Sequence, residues 1–189
     1  MKNITPQIVK DYHAYMAKKF NAVIIQKKDA AGMLFIDHAL SLMGVKKKGY
    51  FLDHFALTLG NRIYIHWEPG VGTPQQLAYQ IRVLAHECQH VLQYRDDPRF
   101  ALRYLLSKSR RAHFEAQAMH CDLELYHWLY GAAMSVALLT GTLKYYRVRS
   151  ADRAVARQDL NIYNQAVSRG QISTKPGKVA IRWLQARVK

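Results

Sequence analysis

Five residues near the middle of the chain carry its strongest chemical signal: His86-Glu87-Cys88-Gln89-His90, an H-E-x-x-H pattern inside a stretch of helical periodicity. Four residues turn an α-helix by about 400°, so the two imidazoles project within about 40° of each other, one turn apart. Two nitrogens so placed can grip one divalent ion. Zinc takes imidazole nitrogen at about 2.0–2.1 Å, accepts a tetrahedral arrangement and leaves a position for water. Glu87 projects about 100° around the helix from His86, beside such an ion and not onto it. A carboxylate there can take the proton of a water whose pKa zinc lowers from roughly 15.7 to about 7. Cys88 faces away from both histidines and reads as a buried thiol.

A site of this kind needs a third ligand on a second element. Glu115 is the best candidate, in Arg110-Arg111-Ala112-His113-Phe114-Glu115-Ala116-Gln117-Ala118-Met119. It follows His90 by 25 residues, and the break at Pro98 lets a second helix fold back on the first. Ala112 and Ala118, three residues to either side of Glu115, offer a low-profile face for close helix approach.

With these residues in place, H-E-x-x-H followed by a later helix carrying E-A-x-A resembles the gluzincin class of zinc metallopeptidases. The resemblance implies that His86, His90 and Glu115 bind zinc and that Glu87 is the general base of peptide-bond hydrolysis. It covers roughly residues 50 to 130; the first motif is fairly specific, while E-A-x-A is short. The metzincin extension H-E-x-x-H-x-x-G-x-x-H, with aspartate for the last histidine in some relatives, would instead put Asp96 on the metal. Gln93 stands where that pattern has its turn glycine, and its side chain disfavours the left-handed backbone that bends the chain back. Glu115 is therefore favoured over Asp96. The donor that would stabilise the oxyanion is left open among Tyr79, Tyr94, His113 and His120. Asp122, two turns after Glu115, could accept a hydrogen bond from a ligand imidazole.

The elements that must position these groups follow from caps and periods. Thr5-Pro6 opens a first helix with Ile8, Val9, Tyr12, Tyr15, Met16 and Phe20 at helical spacing. A second helix is expected from about Ala30 to Met43, ending at Gly44, with the basic turn Lys46-Lys47-Lys48-Gly49 after it. Tyr50 to Leu59 and Arg62 to Trp67 read as a hairpin about Gly60-Asn61, the second strand lying at an edge able to pair with an extended peptide. Thr73-Pro74 opens the long active helix to about Arg95, which Asp96-Asp97-Pro98 ends. A short helix over Phe100–Leu106 follows. Ser109 then opens a helix to about Tyr130 that continues as an apolar helix to about Tyr146. Ser150 caps a helix ending near Gly170, and Lys175-Pro176-Gly177 precedes a segment, Val179 to Val188, whose type the pattern does not decide.

The expected fold class is mainly α (α+β), a zincin-like helical domain with a small hairpin or sheet before the active helix. The 189 residues, 50% hydrophobic and 22% charged, suit one domain over 1–189, with the motif region at about 50–130 and a basic helical extension at about 144–189. Two cysteines are too few for a disulfide scaffold or a four-cysteine zinc ribbon. Residues 125–143 carry no formal charge, yet His127, Gly131, Ser135, Thr140, Gly141 and Thr142 dilute them, so a core helix is expected and no membrane span. The start Met1-Lys2-Asn3-Ile4-Thr5-Pro6 lacks the apolar run of a secretory signal, which leads to the expectation of a cytoplasmic or virion-associated location.

Net charge is +15, and from Lys144 to Lys189 eleven basic residues face two acidic ones. The substrate expected is a peptide or protein, with peptidoglycan as one form. The basic C-terminal region would suit a polyanion or a larger assembly. The alternative reading is a structural or binding component of a phage-like particle, in which the metal fold serves assembly, with or without peptidoglycan-degrading activity. Charge alone supports nucleic-acid binding, because no recognised nucleic-acid motif is present.

Overall fold

The computed structural model describes residues 1–30 and 55–188. Residues 31–43 of the expected second helix, the basic turn at 46–49 and residues 50–54 of the expected first strand lie outside them. The fold is mainly helical with a small three-stranded sheet among the described residues. Helix α1 (Pro6–Phe20) begins where Thr5 Oγ1 accepts the Ile8 amide and ends at Asn21, which is left-handed at φ 52°. The strands are β1 (Val23–Gln26), β2 (Leu57–Leu59) and β3 (Arg62–Ile65).

β2 and β3 form the expected hairpin, pairing antiparallel with Leu57 opposite Tyr64, and Gly60 takes the turn at φ +62°. β1 adds in parallel on the other side of β3, Val23 opposite Arg62 and Gln26 opposite Ile65. The strand order β1-β3-β2 corrects the expectation that Arg62–Trp67 is an edge: β3 is central. β1 is only four residues long and pairs with a strand far along the chain. Neither fact leaves an alternating pattern to read locally.

The remaining helices are α2 (Pro74–Asp96), α3 (Phe100–Leu106), α4 (Lys108–Tyr130), α5 (Val136–Gly141), α6 (Ser150–Ser168) and α7 (Lys175–Gln185). A reciprocal capping box fixes the start of α2: Thr73 Oγ1 accepts the Gln76 amide and Gln76 Oε1 accepts the Thr73 amide. The start of α4 is capped by Ser107, not Ser109. The expected continuation of that helix to Tyr146 is broken. Gly131 closes α4 at φ +66°, Ser135 caps the new short helix α5, and Thr142–Tyr146 tightens to a 3₁₀ turn. Ser150 is the first residue of α6 and not its cap. The undecided C-terminal segment is a helix, opened by Thr174 and Pro176.

Two apolar clusters hold these pieces. The first joins Tyr12 and Met16 of α1, Ile63 and Ile65 of β3, Ile81, Leu84 and Cys88 of α2, Leu125 of α4, and Ile181 and Leu184 of α7. The second joins Met119 and Leu123 of α4 to Leu139, Leu143 and Leu160. Helix α4 is thus wetted on neither broad face, which is why its apolar residues form no single stripe. Ala112 packs in the second cluster and so does not line the approach to α2. The start of α7 is locked by buried Glu124, which accepts the Ser173 amide (2.6 Å), the Thr174 amide (2.9 Å) and the hydroxyls of Thr174 and Tyr163. Gly177 is required there, since a Cβ would stand 1.8 Å from Glu124 Oε2. Among the described residues, no helix is long and apolar enough to cross a membrane.

His13 is buried beside the first apolar cluster, against Tyr12 and Trp67, and neither ring nitrogen has a hydrogen-bond partner. Burial pushes its pKa down to about 4. The folded state therefore binds fewer protons than the unfolded chain between that value and the ordinary histidine value of about 6.5. Its contribution to stability is fully present above that window and is lost as pH falls through it, by about 3 kcal/mol at pH 4. Urea unfolding at pH 7 and pH 4 should show this component in the wild type and lose it in His13→Phe.

Candidate metal centre

Helices α2 and α4 run antiparallel, and a ladder of polar pairs crosses between them. Arg82 faces Asp122, His86 faces Asp122 and Glu115, His90 faces Glu115, and Gln93 faces Phe114 and Gln117. The His86 and His90 rings stand one turn apart with centroids 5.0 Å from each other, as their spacing dictates. His86 Nε2 lies 3.7 Å from Glu115 Oε2, and His90 Nε2 lies 3.8 Å from Glu115 Oε1. One ligand atom from each of the three residues falls within 4.8 Å of the others.

The outer nitrogens are already used. His86 Nδ1 is 2.8 Å from Asp122 Oδ2, and Asp122 Oδ1 accepts from the Arg82 guanidinium at 2.6 Å. His90 Nδ1 is 2.7 Å from Gln93 Oε1. The Gln93 amide cannot be reversed, because its nitrogen donates to the Phe114 carbonyl (3.0 Å) and that group only accepts. Oxygen acceptors at both Nδ1 atoms hold a proton there, so once an ion displaces the Nε2 proton of His86 both Nε2 lone pairs would point toward Glu115. This arrangement of hydrogen-bonded ligand imidazoles is general in metal sites.

The donor set fits a divalent ion. Ligands at the usual zinc distances stand about 3.4 Å apart in a tetrahedron, close to the separations here. The deciding observation is Glu115 Oε2. It is buried and accepts no hydrogen bond; the His86 ring is its charged neighbour, with Nε2 3.7 Å away, too long for a hydrogen bond and near the spacing of two ligands on one ion. The other oxygen, Oε1, accepts from the Tyr104 hydroxyl of α3. Arg111 holds α3 against α4 by donating to the Tyr104, Leu105 and Tyr146 carbonyls at 2.9, 2.8 and 2.7 Å.

The field at this point favours positive charge. Burial alone would lower the His86 pKa, but Asp122 on one side and Glu115 on the other outweigh it and raise it to about 10. Burial likewise opposes ionisation of Glu115, yet His86, His90 and Tyr104 hold it below the usual carboxylate range. Asp122 is held down in the same way by Arg82 and His86.

Glu87 points to another neighbour. Its Oε2 accepts from the Thr58 hydroxyl of β2 at 2.7 Å, so the sheet fixes its rotamer. Glu87, His86 and Glu115 share the wall of a cavity of about 200 Å³ with Met119, Leu139 and Tyr146. Asp96 stands apart, exposed and paired with Arg95 at 3.0 Å, because α2 runs straight past Gln93 to its end. Of the residues considered as oxyanion donors, Tyr79 lines the cavity, whereas Tyr94 packs on Phe100. His113 pairs with Gln117, and His120 stacks on Tyr163 beside Asp159. Neither histidine joins the cluster.

Sequence reasoning missed Thr58, Arg82, Gln93, Tyr104 and Tyr146. Helical spacing could have offered Arg82, four residues before His86, and Gln93, three after His90. Thr58, Tyr104 and Tyr146 reach the site only through tertiary packing. No family model, no curated protein and no solved structure matches this chain. The fold and the cluster thus define a mainly helical protein with a His/His/Glu cluster in which His90 and Glu115 are buried and His86 partly so.

Proposed function

We propose that this protein is a zinc-dependent peptidase that hydrolyses amide bonds, with His86, His90 and Glu115 as metal ligands and Glu87 as general base. The observation that supports this reading is the buried Glu115 carboxylate, its Oε2 without a hydrogen bond, facing two imidazoles whose outer nitrogens are both occupied. When bound, zinc would polarise the substrate carbonyl and acidify a water. Glu87, steadied by Thr58, takes the proton of the attacking water and passes it to the leaving nitrogen. Tyr146 supplies the hydrogen bond to the developing oxyanion. Its phenol is held protonated by burial and by the nearby charges of Glu115 and Glu87, and it lines the cavity they share.

Apart from the Arg82–Asp122 pair, Tyr79 and Thr142, the rest of that cavity is lined by apolar side chains, among them Phe55, Val83, Met119, Met134, Leu138 and Leu139. It suits one apolar side chain of a peptide and excludes water from the reacting bond. The zinc-loaded protein, offered a mixed peptide library read by mass spectrometry, should cut beside leucine- or phenylalanine-sized residues and stop when a chelator is added. An absence of metal-dependent cleavage would end this reading. Tyr146→Phe should lower kcat by about 10²-fold with KM little changed, the signature of an interaction made only in the transition state.

A further inference from the structure

A second cavity, of about 390 Å³, shares no residue with the first. Four exposed cations line it: Lys19 from the last turn of α1, and Lys175, Lys178 and Arg182 from α7. Positions 175, 178 and 182 fall on one face of the helix, spread over about 10 Å of its axis. No carboxylate lines the cavity, and none of the four cations makes an ion pair among the described residues. Like charges at this helical spacing repel one another, and among the described residues no acid is ion-paired with them. The amides at the start of α7 are spent on Glu124 and Thr174, so recognition here belongs to the side chains.

We propose that this groove binds the phosphodiester backbone of a nucleic acid. Phosphates rise about 3.4 Å apart along the axis on each strand of a duplex, so three cations spread over about 10 Å suit a short run of a phosphodiester backbone. Tyr15 decides between nucleic acid and a polyanion that lacks bases. Its ring lines the same cavity, stacked on Trp183 at 5.5 Å between centroids and 24° between planes, and so puts an aromatic surface beside the cations. Cations along a groove with an aromatic platform form the arrangement by which single strands are held without sequence preference. This inference does not rest on the metal centre.

The test is fluorescence anisotropy of the full chain with a labelled 20-nucleotide thymidine oligomer and a duplex of equal length across a salt series. Two charge-matched triple variants are compared, K175Q/K178Q/R182Q in the groove and R62Q/R149Q/R157Q on exposed sites elsewhere. Each lost phosphate contact removes about 0.7 from the log affinity against log salt slope for single strands and about 0.9 for duplex, so the groove variant should lose up to about 2 units on the single strand and up to about 3 on the duplex. The control variant should keep the wild-type slope, and Tyr15→Ala should weaken the single strand several-fold more than the duplex. Equal losses in both triple variants, or no loss in the groove variant, would overturn the proposal. So would an unchanged nucleic-acid slope in a groove variant that had lost binding to phosphatidylglycerol vesicles.

Discussion

Glutamine in place of Glu87 is expected to lower peptide hydrolysis by about 10²–10⁴-fold, the range a positioned general base contributes. Zinc binding should be retained. The substitution keeps the side chain's length and its ability to accept from Thr58, but the amide cannot take a proton from water. Because the residue stands beside the His/His/Glu cluster and not in it, the donor set survives. A variant with normal metal content, normal unfolding and no turnover separates catalysis from assembly. Full activity in that variant would remove Glu87 from the mechanism and leave the cluster as a structural site.

Alanine in place of Glu115 should weaken zinc affinity by more than the roughly 10–100-fold typical of losing a partner behind a metal ligand. One of the three proposed ligands disappears, and separately the fold loses stability because Tyr104 is left without its buried acceptor. Asp122→Asn gives the matching intermediate. It keeps an acceptor near His86 Nδ1 while removing the charge that Arg82 and His86 share, and it should fall within the smaller range. Competition titration with a zinc-sensitive chelating dye ranks wild type, Asp122→Asn and Glu115→Ala in that order. Equal affinity in all three would mean that the ion, if bound, sits elsewhere.

The legible parts of the molecule were those written in local chemistry. Thr5-Pro6 and Thr73-Pro74 are caps that act within four residues, and both helices start where those caps put them. The spacing of His86 and His90 fixes their common face wherever the helix lies. Glu115 was reachable because the Pro98 break left few ways for the next long helix to return. The preference for Glu115 over Asp96 rested on the backbone demand at Gln93, and α2 indeed does not bend there.

What escaped depended on packing at a distance. Apolar content suggested one helix through residues 125–146, yet Gly131 and Ser135 act as stop and start signals that composition hides. β1 exists because β3 receives it in parallel, not because Val23–Gln26 insists on being a strand. Thr58 gains its role from the sheet laid against α2, and Tyr104 from Arg111 drawing α3 down onto α4. The C-terminal helix, read only as a basic extension, buries Ile181 and Leu184 in the first apolar cluster while it presents Lys175, Lys178 and Arg182 outward.

The most direct test is anomalous diffraction at the zinc edge from crystals of the wild-type protein grown with one equivalent of zinc. A single peak about 2.0–2.2 Å from Nε2 of His86, Nε2 of His90 and a Glu115 carboxylate oxygen is the predicted result. A zinc peak bound at other residues, or none between α2 and α4 at full zinc saturation, would contradict it.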